Sequence, residues 1–202
     1  MLTAARLDLM EGRDGEALPP LRLTAVTADA FVAEISTRFE ERHPERRLAV
    51  AAPAGLPAIE ADPILLRRAI DNLLENAHKY SEPSSPIELR ASASDAELLL
   101  EVVDLGIGID AADLPLVFKP FFRGDRSRAR QTGGVGLGLA LAQRIVHAHR
   151  GTIGLDSQVG KGTTARIRLP LATEEPADGE VEPGPRRGAS TRSRETAATR
   201  ST

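Results

Sequence analysis

The chain has 202 residues, with 26 Lys and Arg against 29 Asp and Glu and no cysteine. Disulfide and thiolate chemistry are excluded, and a formal net charge of −3 argues against a general nucleic-acid binder. No run of about 18 apolar residues occurs, and Met1–Glu11 lacks a basic-then-apolar signal pattern, so the expectation is a cytoplasmic chain with no membrane contact of its own.

The length suits one domain of roughly 150 residues plus tails, which buries about 68–70% of its unfolded surface without a staple. Leu2, Ala5, Leu7, Leu9 and Met10 give residues 1–12 a short apolar helical side that ends at Gly12. Residues 13–20 read as a linker, with Gly15, Pro19 and Pro20. The segment 21–171 carries the periodic patterns of a folded domain. Leu21–Val26 is extended. Thr27 or Asp29 can cap a helix to about Arg42 that turns Phe31, Val32, Ile35 and Phe39 to one side and ends at His43-Pro44. Leu48–Val50 and Ala58–Glu60 are short strands.

Asp62-Pro63 then opens a helix to Ser81, an N-cap followed by proline at the first helical position. Leu66, Ile70, Leu73, Leu74 and Ala77 form its apolar stripe. Asn72, Asn76, Lys79 and Tyr80 share another face, at i, i+4, i+7 and i+8. The bland reading of that face is a solvated helix side. The functional one is convergence on a ligand, since amide oxygens suit Mg²⁺ and a lysine meets a phosphate as a point charge.

After a turn at Glu82–Pro86, the segments Ile87–Ala93 and Glu97–Asp104 read as a hairpin, Asp110–Phe118 as a short helix and Lys119–Gly134 as a long loop. Val135–Arg150 reads as a helix with Leu137, Ala140, Leu141, Ile145 and Val146 inward, stopped by Gly151. Thr152–Ser157 and Thr163–Leu169 are strands about the turn Gly160-Lys161-Gly162. Residues 172–202 mix acids, arginines, Pro, Gly, Ser and Thr, a polyampholyte expected to be disordered.

Three further motifs bear chemistry. Asp104-Leu-Gly106-Ile-Gly108 ends a strand. Its aspartate can accept from an exocyclic amine, and its glycines let a ligand approach the backbone. Alone, the string reads more readily as a strand-to-helix turn with a capping acid. Gly133-Gly134-Val-Gly136-Leu-Gly138 opens a helix, where glycine costs about 1 kcal/mol relative to alanine. Phosphate binding by bare amides at the positive end of the helix dipole is a physical reason for it. It is neither a Walker A loop nor a Rossmann fingerprint. Between them, Phe118–Arg130 holds three of the chain's five phenylalanines and four arginines, either hydrophobic anchors with solvated charges or a lid that reaches a triphosphate.

The order N-L-L-E-N-A-H-K-Y, D-L-G-I-G, F-K-P-F-F-R-G-D, G-G-V-G-L-G-L resembles the N, G1, F and G2 boxes of bacterial sensor histidine kinases. Ser157–Thr163 looks like that family's closing hairpin, although Ala165 stands where a phenylalanine is common. Residues 1–12 resemble the end of the dimerisation and phosphoacceptor helix. The resemblance implies a Bergerat ATP-binding fold, an α/β (α+β) two-layer sandwich with a mixed sheet packed on helices and a mobile ATP lid. It implies ATP and Mg²⁺ as cofactors. Asp104 would hold the adenine amine, Tyr80 and Thr163 would line the base pocket, and Gly106 and Gly108 would shape it. Asn76, with Asn72, would coordinate Mg²⁺. Lys79 and Arg123 would contact phosphates, with Arg128 and Arg130 as lid candidates. Gly134, Gly136, Leu137 and Gly138 would wrap the phosphates. Asn76, Lys79 and Arg123 would carry the transfer itself.

In the gyrase, MutL and chaperone relatives a glutamate four residues before the magnesium asparagine activates water. Here that position is Asn72, whose amide takes no proton near neutral pH. Glu75, about 100° around the helix from Asn76, reads as solvated or orienting, with solvation the favoured reading. The family's acceptor histidine, followed by an acid and a later proline, matches none of His43, His78, His147 and His149. The resemblance therefore implies a kinase catalytic part, either a fragment or a stand-alone protein acting in trans, that phosphorylates a histidine-containing dimerisation domain not present in this chain and serves a response regulator. The alternatives are a protein serine kinase of the anti-sigma type on the same fold and a non-catalytic nucleotide-binding module.

Overall fold

Two strands set the architecture through the alternation of their side chains. In Ile87–Ala93, Ile87, Leu89 and Ala91 are buried. In Glu97–Asp104, every second residue from Leu98 to Asp104 is. A sheet with one apolar face must lay it on a second layer. The computed structural model describes residues 18–124 and 135–172. Within them the elements run β1 (Thr24–Thr27), α1 (Ala28–Arg42), β2 (Leu48–Ala51), β3 (Ala58–Ala61), α2 (Pro63–Tyr80), β4 (Ile87–Ala93), β5 (Glu97–Asp104), α3 (Gly138–Ala148), β6 (Thr152–Gln158) and β7 (Gly162–Pro170). The five-stranded sheet has the order β2-β4-β5-β7-β6 and is mixed, because β2 pairs parallel with β4 and the other pairs are antiparallel. A separate antiparallel pair joins β1 to β3. The buried stripes of α1, α2 and α3 share one core with β4, β5 and β7, which makes the α/β sandwich. Leu18 and Leu21 also pack against this core, and the Ala172 amide donates to the Ala58 carbonyl at 3.1 Å. Among the described residues no helix is long and apolar enough to cross a membrane.

The central helix α2 starts where Asp62 places its carboxylate. Buried to 1% exposure, Asp62 accepts from the amides of Leu65 (3.2 Å) and Arg22 (3.0 Å). Its own amide donates to His149 Nε2 at 2.9 Å. The other ring nitrogen of His149 donates to the Ile145 carbonyl at 2.8 Å, which sets the tautomer and ties the end of α3 to the start of α2. Asp62→Ala should therefore cost about 2 kcal/mol, an N-cap loss compounded by a second orphaned amide. A urea midpoint that falls at unchanged slope would record it.

Three sequence expectations change. The helix expected over Asp110–Phe118 is only a 3₁₀ turn at Leu114–Leu116 within a run of turns. Pro115 has no amide to extend the ladder, and the Asp110 carbonyl already takes the amides of Asp113 and Leu114. The helix expected over Val135–Arg150 begins only at Gly138. Gly136 has φ +79°, a left-handed conformation no helix contains, and its carbonyl is taken by the Phe121 amide at 3.0 Å. At the other end Arg150, not Gly151, turns left-handed, with φ +58°. Gly151 serves close approach instead, since a Cβ there would collide with the Arg168 carbonyl.

Candidate functional site

One side of α2, the ends of β5 and β7 and the start of α3 enclose a cavity of about 700 Å³, within the range of small-molecule pockets. Asn72, Asn76, Lys79 and Tyr80 all line it, as the helical spacing predicts, because the opposite stripe of α2 is buried in the core. Asp104, Gly108, Arg123, Gly136, Leu137, Gly138 and Thr163 line it too. Arg128, Arg130 and Gly134 lie outside the described residues, as do the rest of 125–134, where a lid was expected, and the segments 1–17 and 173–202.

Asp104 forms the polar floor. It is 9% exposed and sits at the end of β5, directly across from Thr163 on β7. The Gly106 amide donates to its Oδ1 at 2.7 Å. Burial pushes the Asp104 carboxyl above the usual aspartate range, while the backbone amides of Gly106 and Thr163 and the charge of Arg46 pull it back. A Cβ on Gly106 would collide with the Tyr80 carbonyl, which accepts from the Ile107 amide at 3.0 Å. Tyr80 thus binds the Asp104–Gly108 segment through its backbone, a link that the sequence does not announce. Thr163 Oγ1 is paired with Ser157 Oγ at 2.8 Å, and Ser157 Oγ meets the Ile109 amide at 2.9 Å. Apolar walls come from Val102, Ile107, Leu139, Leu141, Leu155 and Ala165. An apolar slot closed by one buried carboxylate fits a flat heterocycle with an exocyclic amine.

The other end is built for charge. Asn72 Nδ2 donates back to the Arg68 carbonyl at 2.9 Å, which fixes the amide so that Oδ1 lies 2.9 Å from where a Gly138 Cβ would be. The oxygen of Asn72 thus occupies space that glycine leaves at the first residue of α3. The positive end of α3 opens on the same cavity wall, with Leu137 and Gly138. Oxygen ligands of this neutral amide type, beside an anion site, fit Mg²⁺ shared with phosphates.

Glu75 differs from expectation. Its Oε1 accepts from His43 Nε2 at 3.0 Å and from Arg42 at 3.2 Å, so it ties α2 to the end of α1 and is not simply solvated. His43 and His78 lie against each other with ring centroids 4.1 Å apart, each beside Phe39. His149 is the buried link described above. Among the described residues no histidine lines the cavity.

Residues 61–173 match the family model described as histidine kinase-, DNA gyrase B-, and HSP90-like ATPase. The sensor-like histidine kinase SenX3 of Mycobacterium tuberculosis (strain ATCC 25618 / H37Rv) is 35% identical over 181 residues, which are 89% of this chain and 43% of SenX3. The sensor histidine kinase WalK of Bacillus subtilis (strain 168) is 41% identical over 155 residues, 73% of this chain and 25% of WalK. The chain thus spans less than half the length of these curated relatives. Among solved structures, the mycobacterial sensor histidine kinase MprB superposes with a TM-score of 0.63 at 28% identity, covering 74% of this chain and 97% of that one. Full-length ShkA in complex with AMPPNP gives 0.68 at 28% identity, over 85% of this chain and 35% of that one.

Proposed function

Since this chain belongs to the histidine kinase-, DNA gyrase B- and HSP90-like ATPase family, and the relatives it resembles are sensor histidine kinases, we propose that it is the ATP-binding catalytic domain of such a kinase and transfers the γ-phosphoryl group of ATP to a histidine on a dimerisation domain outside these 202 residues. The observation that carries this reading is the pairing of a buried carboxylate, Asp104, with the polar face of α2 across one cavity. Asp104 accepts from the adenine amine and Tyr80 flanks the base. Lys79 and Arg123 meet the phosphates, and Asn76 and Asn72 hold Mg²⁺. When bound, Mg²⁺ offsets charge on the phosphate oxygens. An imidazole nitrogen of the incoming histidine attacks the γ-phosphorus. The bond to the β,γ-bridging oxygen breaks, ADP leaves, and the imidazole proton passes to solvent. Positioning and electrostatics supply most of such catalysis.

Two features favour transfer over hydrolysis. Asn72 replaces a base, and the carboxylate of Glu75 is engaged by His43 and Arg42. The phosphohistidine would serve a response regulator. The reading places the chain in the cytoplasm, where ATP is held.

Titration of the chain with ATP and GTP tests the base site. Asp104→Ala should weaken ATP by on the order of 10–150-fold, the worth of a hydrogen bond to a charged group, and should erase the preference over GTP. An unchanged ATP/GTP ratio would remove Asp104 from that role. pH gives a second check. The carboxyl of Asp104 is held above its ordinary range, so on acidification it takes its proton earlier than an exposed aspartate would. Wild-type ATP affinity should fall with that protonation, while the residual affinity of Asp104→Ala should not follow the same curve.

A further inference from the structure

We propose that Arg46 is a positioning residue for nucleotide recognition: its buried guanidinium fixes the exit of α2, and that exit sets the register of the Asp104–Gly108 segment. The inference deepens the ATP reading above and rests on it. Arg46 lies in the turn between α1 and β2, where its amide donates to the His43 carbonyl at 2.8 Å. The residue is only 4% exposed. A guanidinium is buried at high cost unless hydrogen bonds compensate it. Here it donates to Ser81 Oγ and to the Glu82 carbonyl.

Those two acceptors are not arbitrary. Ser81 is the C-cap of α2, and its hydroxyl donates on to the Ala77 carbonyl at 2.5 Å. A cation here also meets the negative end of the helix dipole. The residue before the cap is Tyr80, a wall of the cavity whose carbonyl holds the Ile107 amide at 3.0 Å. Gly106, packed against that carbonyl, donates to Asp104 Oδ1. One continuous path thus leads from Arg46 through Ser81 and Tyr80 to the base-binding carboxylate. Arg46 also acts on that carboxylate through space, favouring its ionised form.

The test uses the full chain with Arg46→Met and Arg46→Lys. Amide hydrogen exchange in the absence of nucleotide reads the placement, and ATP titration reads its consequence. Arg46→Met should speed exchange at Ile107 and Gly106 by about tenfold or more, leave the β4–β5 amides unchanged, and weaken ATP binding by about tenfold. Arg46→Lys, which keeps the charge and a donor, should recover part of both. Unchanged exchange at Ile107 and Gly106, acceleration spread evenly over the sheet, or wild-type ATP affinity in Arg46→Met would overturn the proposal. Should Arg46→Met fail to fold, Ser81→Ala removes one link alone. It should give the same local acceleration, and its absence would overturn the proposal equally. A wild-type chain that binds no ATP would sink the ATP reading, while the exchange data would still decide whether Arg46 holds the segment.

Discussion

Asn76→Ala is expected to abolish the Mg²⁺-dependent part of ATP binding, raising Kd by on the order of 100-fold, about 2.7 kcal/mol. Asn76 sits on the cavity side of α2, one turn after Asn72 and just before Lys79. Its side-chain oxygen is a neutral, hard donor of the kind Mg²⁺ shares with phosphate. Alanine is the better helix former, and the buried stripe of α2 is untouched, so the loss should not come from unfolding. Titration of both chains, each with and without Mg²⁺, separates metal-linked affinity from base recognition. Equal affinity in all four conditions would remove Asn76 from the metal site.

Gly108→Ala should lower stability by about 3 kcal/mol and close the base end of the cavity. Gly108 has φ +67°, and a Cβ there would collide with the Gln158 carbonyl and approach Val159 N at 2.9 Å. The left-handed conformation alone costs an L-residue about 1–2 kcal/mol. The collision is with backbone of the β6–β7 turn, where the Gly160 amide donates to the Ile107 carbonyl at 2.8 Å, so neither side yields easily. Chemical denaturation should show the lower midpoint. ATP binding measured well below the new Tm should still be weakened, because Ile107 and Gly108 both line the site. A variant with wild-type stability would contradict this account of the glycine.

What was legible in the sequence was whatever a period or a cap encodes locally. The stripe of α2, with Asp62 and Pro63 at its start, emerged as read, and the opposite face reached the cavity because a helix fixes both faces at once. The hairpin of β4 and β5 likewise follows from alternation. Errors fell where long-range contacts decide. The start of α3 depends on the hydrogen bond from Phe121 to Gly136, and no spacing within 135–150 encodes it. Glu75 looked solvated because its partners, Arg42 and His43, come from α1. Arg46 and His149 carry no local pattern that marks burial, yet both are buried and bridge elements far apart in the chain. The role expected of Thr163 came from the resemblance, and that of Asp104 from the strand-end string and the resemblance together. Their opposition across β5 and β7 is a matter of strand register, which turn residues set only indirectly.

Phosphoryl transfer in trans tests the central claim most directly. The chain would be incubated with γ-radiolabelled ATP and Mg²⁺, alone and with a matching histidine-containing dimerisation domain. The account predicts acid-labile label on the added domain, little on the chain itself, slow release of free phosphate, and loss of transfer in Asn76→Ala. Acid-stable label on a partner's serine would contradict it in favour of the anti-sigma-like kinase. Bound ATP with no label on any partner would contradict it in favour of a nucleotide-binding module.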